Sequence, residues 1–335
     1  MASTPRPSVP NANTRPPVAL VSPDIRRMEE GLDLALAALH ASSQPRPSVP
    51  GVHVFAVFGG NVTLRFLPAA SRGHLVIGRH ESCDIKLSAD PTISLRHLLA
   101  QATVLADGST ALRLLDLHTA MPFVLANNAT PRSIVATGPI AVAIGPYVVG
   151  SIPQDHHEYQ PQDVIRETRP HGGVTQVGPY RSAPLIEASE RIPDSALVMP
   201  SGLRRSRITL LPRSEMISQM VPAPQDPGAG RLTLSRTSGD ASSAVIPEVA
   251  LERGVLIGRA ERCFDGGRQL MTPCISRVHL MLLRDAQKIY AIDLASTQGT
   301  YENGRRVRQT DLTGRTAALT LGQYDRLQLV WQSLG

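Results

Sequence analysis

Four residues in the C-terminal third of the chain have side chains suited to binding an oxyanion. They are two arginines, Arg259 and Arg277, and two hydroxyl residues, Ser276 and Thr297. A guanidinium stays charged and donates parallel hydrogen bonds to a phosphate, and a hydroxyl donates without titrating near neutral pH. A dianionic phosphate ester needs such a converging set of donors.

The segments around these residues have the composition of strand ends and loops. Gly258 precedes Arg259, and Gln298-Gly299 follows Thr297. Asn303-Gly304 lies between two short extended runs, and this dipeptide predicts a type I′ hairpin turn because both positions need positive φ. A rigid β framework is expected to present the donors in its loops.

An internal repeat supplies that framework. The segment His74 to Arg79 parallels Gly254 to Arg259, Ser94 to His97 parallels Ser276 to His279, and Leu114 to Leu117 parallels Ala291 to Leu294. We call residues 51–152 the proximal copy and residues 231–335 the distal copy. Short apolar runs separated by Gly, Pro, Asp and Asn predict that both are all-β.

The distal copy resembles a forkhead-associated (FHA) domain, because Gly258-Arg259, Ser276-Arg277-Val278-His279 and the run from Asp293 to Gly304 occur in that order. The resemblance implies two β-sandwiches and phosphothreonine-peptide binding by Arg259, Ser276, Arg277, Thr297 and Gln298. Gln298 stands where the family usually has Asn. Gly258, His279, Gly299, Asn303 and Gly304 are expected to support the loops, with His279 packing behind the serine.

The proximal copy departs from this pattern. Leu95-Arg96 reverses the order of Arg277-Val278, which turns the arginine toward the other face of the local chain. Ala120, Met121 and Pro122 replace the threonine, the amide and the glycine of the distal copy. A structural or phosphate-independent role is therefore expected for the proximal copy.

The remaining segments predict one helix and two segments without a core. Residues 1–21 predict disorder, and residues 22–42 predict an amphipathic helix whose apolar stripe packs on its own protein, in a dimer or on a partner. Residues 153–230 predict a flexible proline-rich linker with one possible strand at residues 207–211. Linker threonines, namely Thr168, Thr175 and Thr209, are candidates for phosphorylation and capture in cis.

Composition limits the classes of function. The chain carries 34 basic and 28 acidic residues without a concentrated basic run, so nucleic-acid binding is disfavoured. Three cysteines, no signal peptide and no long apolar run predict a cytoplasmic, bacterial-type protein that does not enter a membrane. Common enzyme motifs are absent, which predicts no catalytic activity, cofactor or metal, and His156-His157 is a weak metal candidate.

These observations predict a phosphothreonine-binding adaptor whose partner is a serine/threonine kinase or a kinase substrate. The alternative is a phosphate-independent assembly protein that uses the helix and the proximal copy.

Overall fold

A computed structural model describes residues 23–42, 47–69, 73–105, 108–126, 128–154, 207–211, 228–285, 287–324 and 326–334. Two β-sandwiches account for most of this part of the chain, which confirms the all-β prediction. Within the described ranges, no helix has the length and apolar character needed to span a membrane.

The proximal copy contains nine strands that form two facing sheets. One sheet has the order β2-β1-β9-β8, and the other contains β7-β6-β5-β3-β4. The strands are β1 (Gly51–Phe58), β2 (Asn61–Pro68), β3 (His74–Gly78), β4 (Ile85–Lys86), β5 (Leu98–Val104), β6 (Thr110–Asp116), β7 (Ser133–Thr137), β8 (Ile140–Ile144) and β9 (Tyr147–Pro153).

The distal copy repeats the order of eight of these strands, lacks a counterpart of β4 and adds a hairpin of two further strands. Its sheets have the orders β12-β11-β20-β19-β16-β17 and β13-β14-β15-β18. The strands are β11 (Gly230–Arg236), β12 (Ala241–Ile246), β13 (Val255–Ile257), β14 (Leu280–Asp285), β15 (Lys288–Asp293), β16 (Thr300–Glu302), β17 (Arg305–Val307), β18 (Gln309–Asp311), β19 (Thr316–Leu321) and β20 (Leu327–Ser333). A short helix, α2 (Glu248–Arg253), and a single 3-10 turn (Arg268–Leu270) complete the copy.

The β16–β17 hairpin distinguishes the two copies. Glu302 pairs with Arg305 across the turn, and both Asn303 (φ 50°) and Gly304 (φ 76°) have the positive φ of a type I′ turn. The proximal copy retains only an isolated bridge between Val124 and Ala143 at the equivalent place.

Helix α1 (Pro23–Ala41) docks on the outer face of the proximal sheet that contains β1, β8 and β9. Met28 and Leu32 are fully buried there and belong to one apolar cluster with Phe55 and Val148. Of the three roles left open for the apolar stripe, docking on its own protein is the one observed.

The possible strand in the linker is β10 (Arg207–Leu211). It pairs antiparallel with β7 and extends the edge of the proximal sheet, with Thr209 opposite Val135. Thr168, Thr175 and the pair His156-His157 lie outside the described residues.

The two copies pack against each other through equivalent faces. The outer faces of β3-β5-β6 and β13-β14-β15 form one apolar cluster. It contains Val76 and its counterpart Leu256, and Leu99 and its counterpart Met281. Because corresponding strands of the two copies meet, the interface is a pseudo-two-fold contact within one chain. It buries a sheet face that would otherwise be an exposed apolar patch.

Candidate functional site

The serine loop, residues 275–278, is held close to the end of β13. A side chain at Gly258 would place its Cβ 2.5 Å from the carbonyl oxygen of Arg277, so only glycine permits this approach. Arg259 follows at the strand end, and its Nε donates to the carbonyl of Ile275 at 2.5 Å. The Gly-Arg pair thus fixes the loop and leaves the rest of the Arg259 guanidinium at the surface.

His279 lies fully buried behind the serine loop. Its Nδ1 accepts a hydrogen bond from the Ser276 amide at 3.3 Å, and its Nε2 lies 3.1 Å from the Gly299 carbonyl. An Nδ1 that accepts and an Nε2 that donates define the neutral tautomer. Burial lowers the pKa of His279 to about 4, so the imidazole stays neutral and joins the two loops.

The threonine loop, residues 294–299, is organised by the buried Asp293 carboxylate. This carboxylate accepts hydrogen bonds from the Ser296 amide at 2.8 Å, the Ser296 hydroxyl at 2.5 Å and the Thr300 hydroxyl at 2.7 Å. Ala295 adopts a left-handed conformation with φ 53°, which is unfavourable for a residue with a Cβ. The loop therefore has a conformation that its own sequence does not favour and that surrounding contacts must maintain.

The predicted binding residues converge on these two loops. Ser276 Oγ accepts a hydrogen bond from the Thr297 amide at 3.0 Å, which joins the loops and leaves the serine hydroxyl proton available to donate. Arg259, Arg277 and Thr297 are exposed, and Gln298 is half-buried. Among the described residues, none hydrogen-bonds to the Arg277 guanidinium, so it remains available to a ligand.

Arg306 is a third arginine at this site, after Arg259 and Arg277, that the sequence analysis did not select. Its guanidinium covers Gly299, where an added Cβ would lie 2.8 Å from Arg306 Nε, and it donates to the Ser296 carbonyl at 3.3 Å. The hairpin register set by the Asn-Gly turn could have indicated Arg306. This register pairs Arg306 with Tyr301, which lies next to the threonine loop.

The equivalent loops of the proximal copy form a different set of contacts. Thr119 takes the place of Ser296 and bonds to Asp116, and His118 (φ 58°) repeats the left-handed conformation of Ala295. Phe123 is buried where the distal copy has Thr300. Arg132 lies 3.5 Å from the Asp116 carboxylate. The buried aspartate that organises the loop is thus retained in the proximal copy, whereas the exposed donors are lost.

A cleft of about 670 Å³ adjoins Arg259. Its walls contain Arg268, Glu261, Asp265, Gln269 and Met271. Across the described parts of the chain, no group of three or more His, Cys, Asp and Glu side chains is placed to hold a metal. Burial raises the pKa of both Cys83 and Cys263 to about 11, which makes these thiols unreactive.

Comparison with known families identifies the distal fold. Residues 255–322 match the model of the FHA domain, a family of binding modules, and the distal copy is an FHA domain. The proximal copy has an FHA-like β-sandwich fold, since eight of its strands follow the same order as their counterparts in the distal copy. No curated protein sequence matches the chain.

Solved FHA structures are similar to parts of the chain. The FHA-1 domain of Rv1747 from Mycobacterium tuberculosis is 28% identical, with 32% of this chain and 98% of that chain covered and a TM-score of 0.25. The FhaA FHA domain, solved with the intracellular domain of Rv3910, is 26% identical. The match covers 30% of this chain and 99% of that chain, with a TM-score of 0.24. The FHA domain of CT664 from Chlamydia trachomatis is 18% identical. The match covers 30% of this chain and 96% of that chain, with a TM-score of 0.26.

Proposed function

We propose that the distal FHA domain binds phosphothreonine peptides. The observation that carries the proposal is that Arg277 and Thr297 are exposed on two loops joined by the hydrogen bond from the Thr297 amide to Ser276 Oγ, with the exposed Arg259 bonded to the serine loop from the end of β13. A phosphothreonine brings about −1.5 to −2 charges and three acceptor oxygens, which match this set of donors. FHA domains are Arg-cluster readers of phosphorylated motifs.

Each residue has a distinct role in this proposal. Ser276 and Thr297 donate hydroxyl hydrogen bonds to the phosphate or to the peptide beside it. Arg277 supplies the main charge, and Arg259 holds the peptide backbone. Gln298 offers a side-chain amide to the peptide main chain, as the usual Asn of the family does. Its extra methylene moves this amide and alters the residue preference at neighbouring peptide positions.

The cellular role that fits this chemistry is that of an adaptor for a serine/threonine kinase or its substrate. The alternative of phosphate-independent assembly through the helix has less support, because the apolar stripe of α1 is buried against the proximal copy. The proximal copy remains available for an assembly role, since its loops lack the exposed donors.

The test is a titration of a phosphothreonine peptide library, and of the same peptides without phosphate, against the full chain. Arg277→Ala should weaken binding by roughly thirtyfold or more, because charge-assisted hydrogen bonds to the ligand are lost. Arg231→Ala is the matched control, since it removes another exposed arginine, from strand β11. Equal affinity for the unphosphorylated peptides would reject the proposal.

A further inference from the structure

Arg96 of the proximal copy reaches into the distal copy. It is 2% exposed, and its Nε donates to the Leu294 carbonyl at 2.6 Å while its Nη2 donates to the Ala295 carbonyl at 2.5 Å. These carbonyls belong to the first two residues of the threonine loop. The planar guanidinium therefore fixes two successive peptide groups at once.

The contact is placed where the threonine loop is conformationally least favourable. Ala295 has φ 53°, a left-handed conformation that is unfavourable for a residue with a Cβ. The two carbonyls that Arg96 engages flank the α-carbon of Ala295. Ser296 and Thr297 follow directly, so the orientation of these peptide groups sets the direction in which the Thr297 amide and side chain point.

The charge of Arg96 is compatible with the groups that support the loop. Asp293, whose carboxylate organises the threonine loop, attracts this guanidinium. The same charge adds to the burial of His279 in keeping that imidazole neutral. The arginine thus contacts the loop and contributes to keeping His279 neutral.

The arrangement is not reciprocal. Val278 occupies the position in the distal copy that Arg96 occupies in the proximal copy, and its apolar side chain is buried in the interface. The distal copy instead contributes Arg262, which donates to Ser94 Oγ at 3.1 Å and to the Arg96 carbonyl at 3.0 Å. Arg262 therefore engages the serine of the proximal copy and holds the Arg96 backbone in place.

We propose that Arg96 is a positioning residue for the phosphothreonine site, so that the binding site of the distal copy is completed by the proximal copy. This inference rests on the proposed function. It assigns the proximal copy a role as a built-in part of the binding site, in which Arg96 donates to the threonine loop and Arg262 donates to the Arg96 carbonyl.

The experiment compares Arg96→Met with Arg113→Met in the full chain. Arg113 also donates across the interface, to the Glu252 carbonyl at 2.7 Å, but Glu252 lies in α2 and outside the threonine loop. Arg96→Met should weaken phosphothreonine-peptide binding about tenfold, whereas Arg113→Met should change it by less than about twofold. Arg96→Lys, which keeps the charge and loses the fork, should recover part of the affinity.

A second readout is independent of peptide binding. Amide hydrogen exchange at Ser296 and Thr297 should accelerate in Arg96→Met and stay unchanged in Arg113→Met, because only Arg96 holds this loop. If Arg96→Met does not fold, Arg96→Lys serves in both measurements and should show smaller changes in the same direction.

The outcomes separate this inference from the proposed function. Unchanged peptide affinity in the Arg96 variants, with wild type binding the phosphopeptide, would overturn the inference and leave the proposed function standing. Absence of phosphopeptide binding by wild type would reject the proposed function. In that case faster exchange at Ser296 and Thr297 would still support the loop-positioning role, and unchanged exchange would overturn it.

Discussion

The proximal and distal copies share the order of their sheets and differ in the loops at one end. Both retain the glycine that permits close approach of the serine loop, since a Cβ at Gly78 would lie 2.6 Å from the Leu95 carbonyl, as one at Gly258 would lie 2.5 Å from that of Arg277. Both also retain a buried histidine that accepts from the serine amide, His97 and His279. The supporting framework therefore survives changes that remove the exposed donors.

The difference shows how one fold can direct equivalent side chains to two different surroundings. In the distal copy the residues after the serine are Arg277, exposed, and Val278, buried in the interface. In the proximal copy they are Leu95 and the buried Arg96. Exchanging the order of an apolar residue and an arginine directs one arginine to solvent and the other to the neighbouring domain.

The largest effect on peptide binding should come from exchanging the loops themselves. Replacing Thr297-Gln298-Gly299 of the distal copy by the Ala-Met-Pro of the proximal copy should weaken phosphopeptide binding on the order of a hundredfold, because donors and the left-handed glycine are lost together. Placing Thr-Gln-Gly at residues 120–122 should not create a second site, since Arg262 already engages Ser94. Calorimetry on both variants checks this, and a stoichiometry of two for the second variant would contradict the comparison.

Truncation in the shared interface should affect both copies at once. Leu99→Ala and Met281→Ala each remove a fully buried side chain from the interface and should destabilise the protein by about 2–5 kcal/mol. Thermal unfolding followed by calorimetry should show one transition in the wild type, because the copies unfold together. Two well-separated transitions in the wild type would show that the interface does not couple them.

The buried histidine of the distal copy should make stability depend on pH. Because the pKa of His279 is about 4 in the folded protein and about 6.5 when unfolded, the unfolded chain binds more protons between these values. The contribution of His279 to stability is therefore fully present above pH 6.5 and is lost as the pH falls toward 4. Burial also lowers the pKa of His74, which adds loss in the same direction.

Denaturant unfolding at pH 7 and pH 4.5 measures this dependence. His279→Gln should be less stable at pH 7 and should lose less stability on acidification than the wild type. Identical losses in the two proteins would exclude His279 as a source of the pH dependence.

The smallest effect should come from the exposed ion pair across the interface. Arg308 Nη2 lies 2.7 Å from the Asp84 carboxylate, and the Arg308 side chain is 59% exposed. Arg308→Gln should change the free energy of unfolding by less than about 1 kcal/mol, because exposed pairs are screened by solvent. A larger change in denaturant unfolding would show that the copies are held together by charge as well as by apolar contact.

Much of the architecture could be predicted from the sequence because the decisive signals are local. The Asn303-Gly304 turn, the two series of short apolar strands and the order of the repeated motifs are set by neighbouring residues. The loops that gather Arg259, Ser276 and Thr297 follow from that repeat. Arg306 was missed because its proximity to Gly299 depends on how the hairpin folds over the loop.

The amino-acid sequence by itself determined the two-copy fold, the donor set of the distal copy and the loss of those donors in the proximal copy. Only the tertiary structure decided that α1 docks on its own sheet, that the copies meet through equivalent faces, and that Arg96 engages the threonine loop. The physical reason is range: Arg96 and Leu294 are 198 residues apart, and a hydrogen bond between them exists only after both sandwiches have formed and buried their shared apolar face.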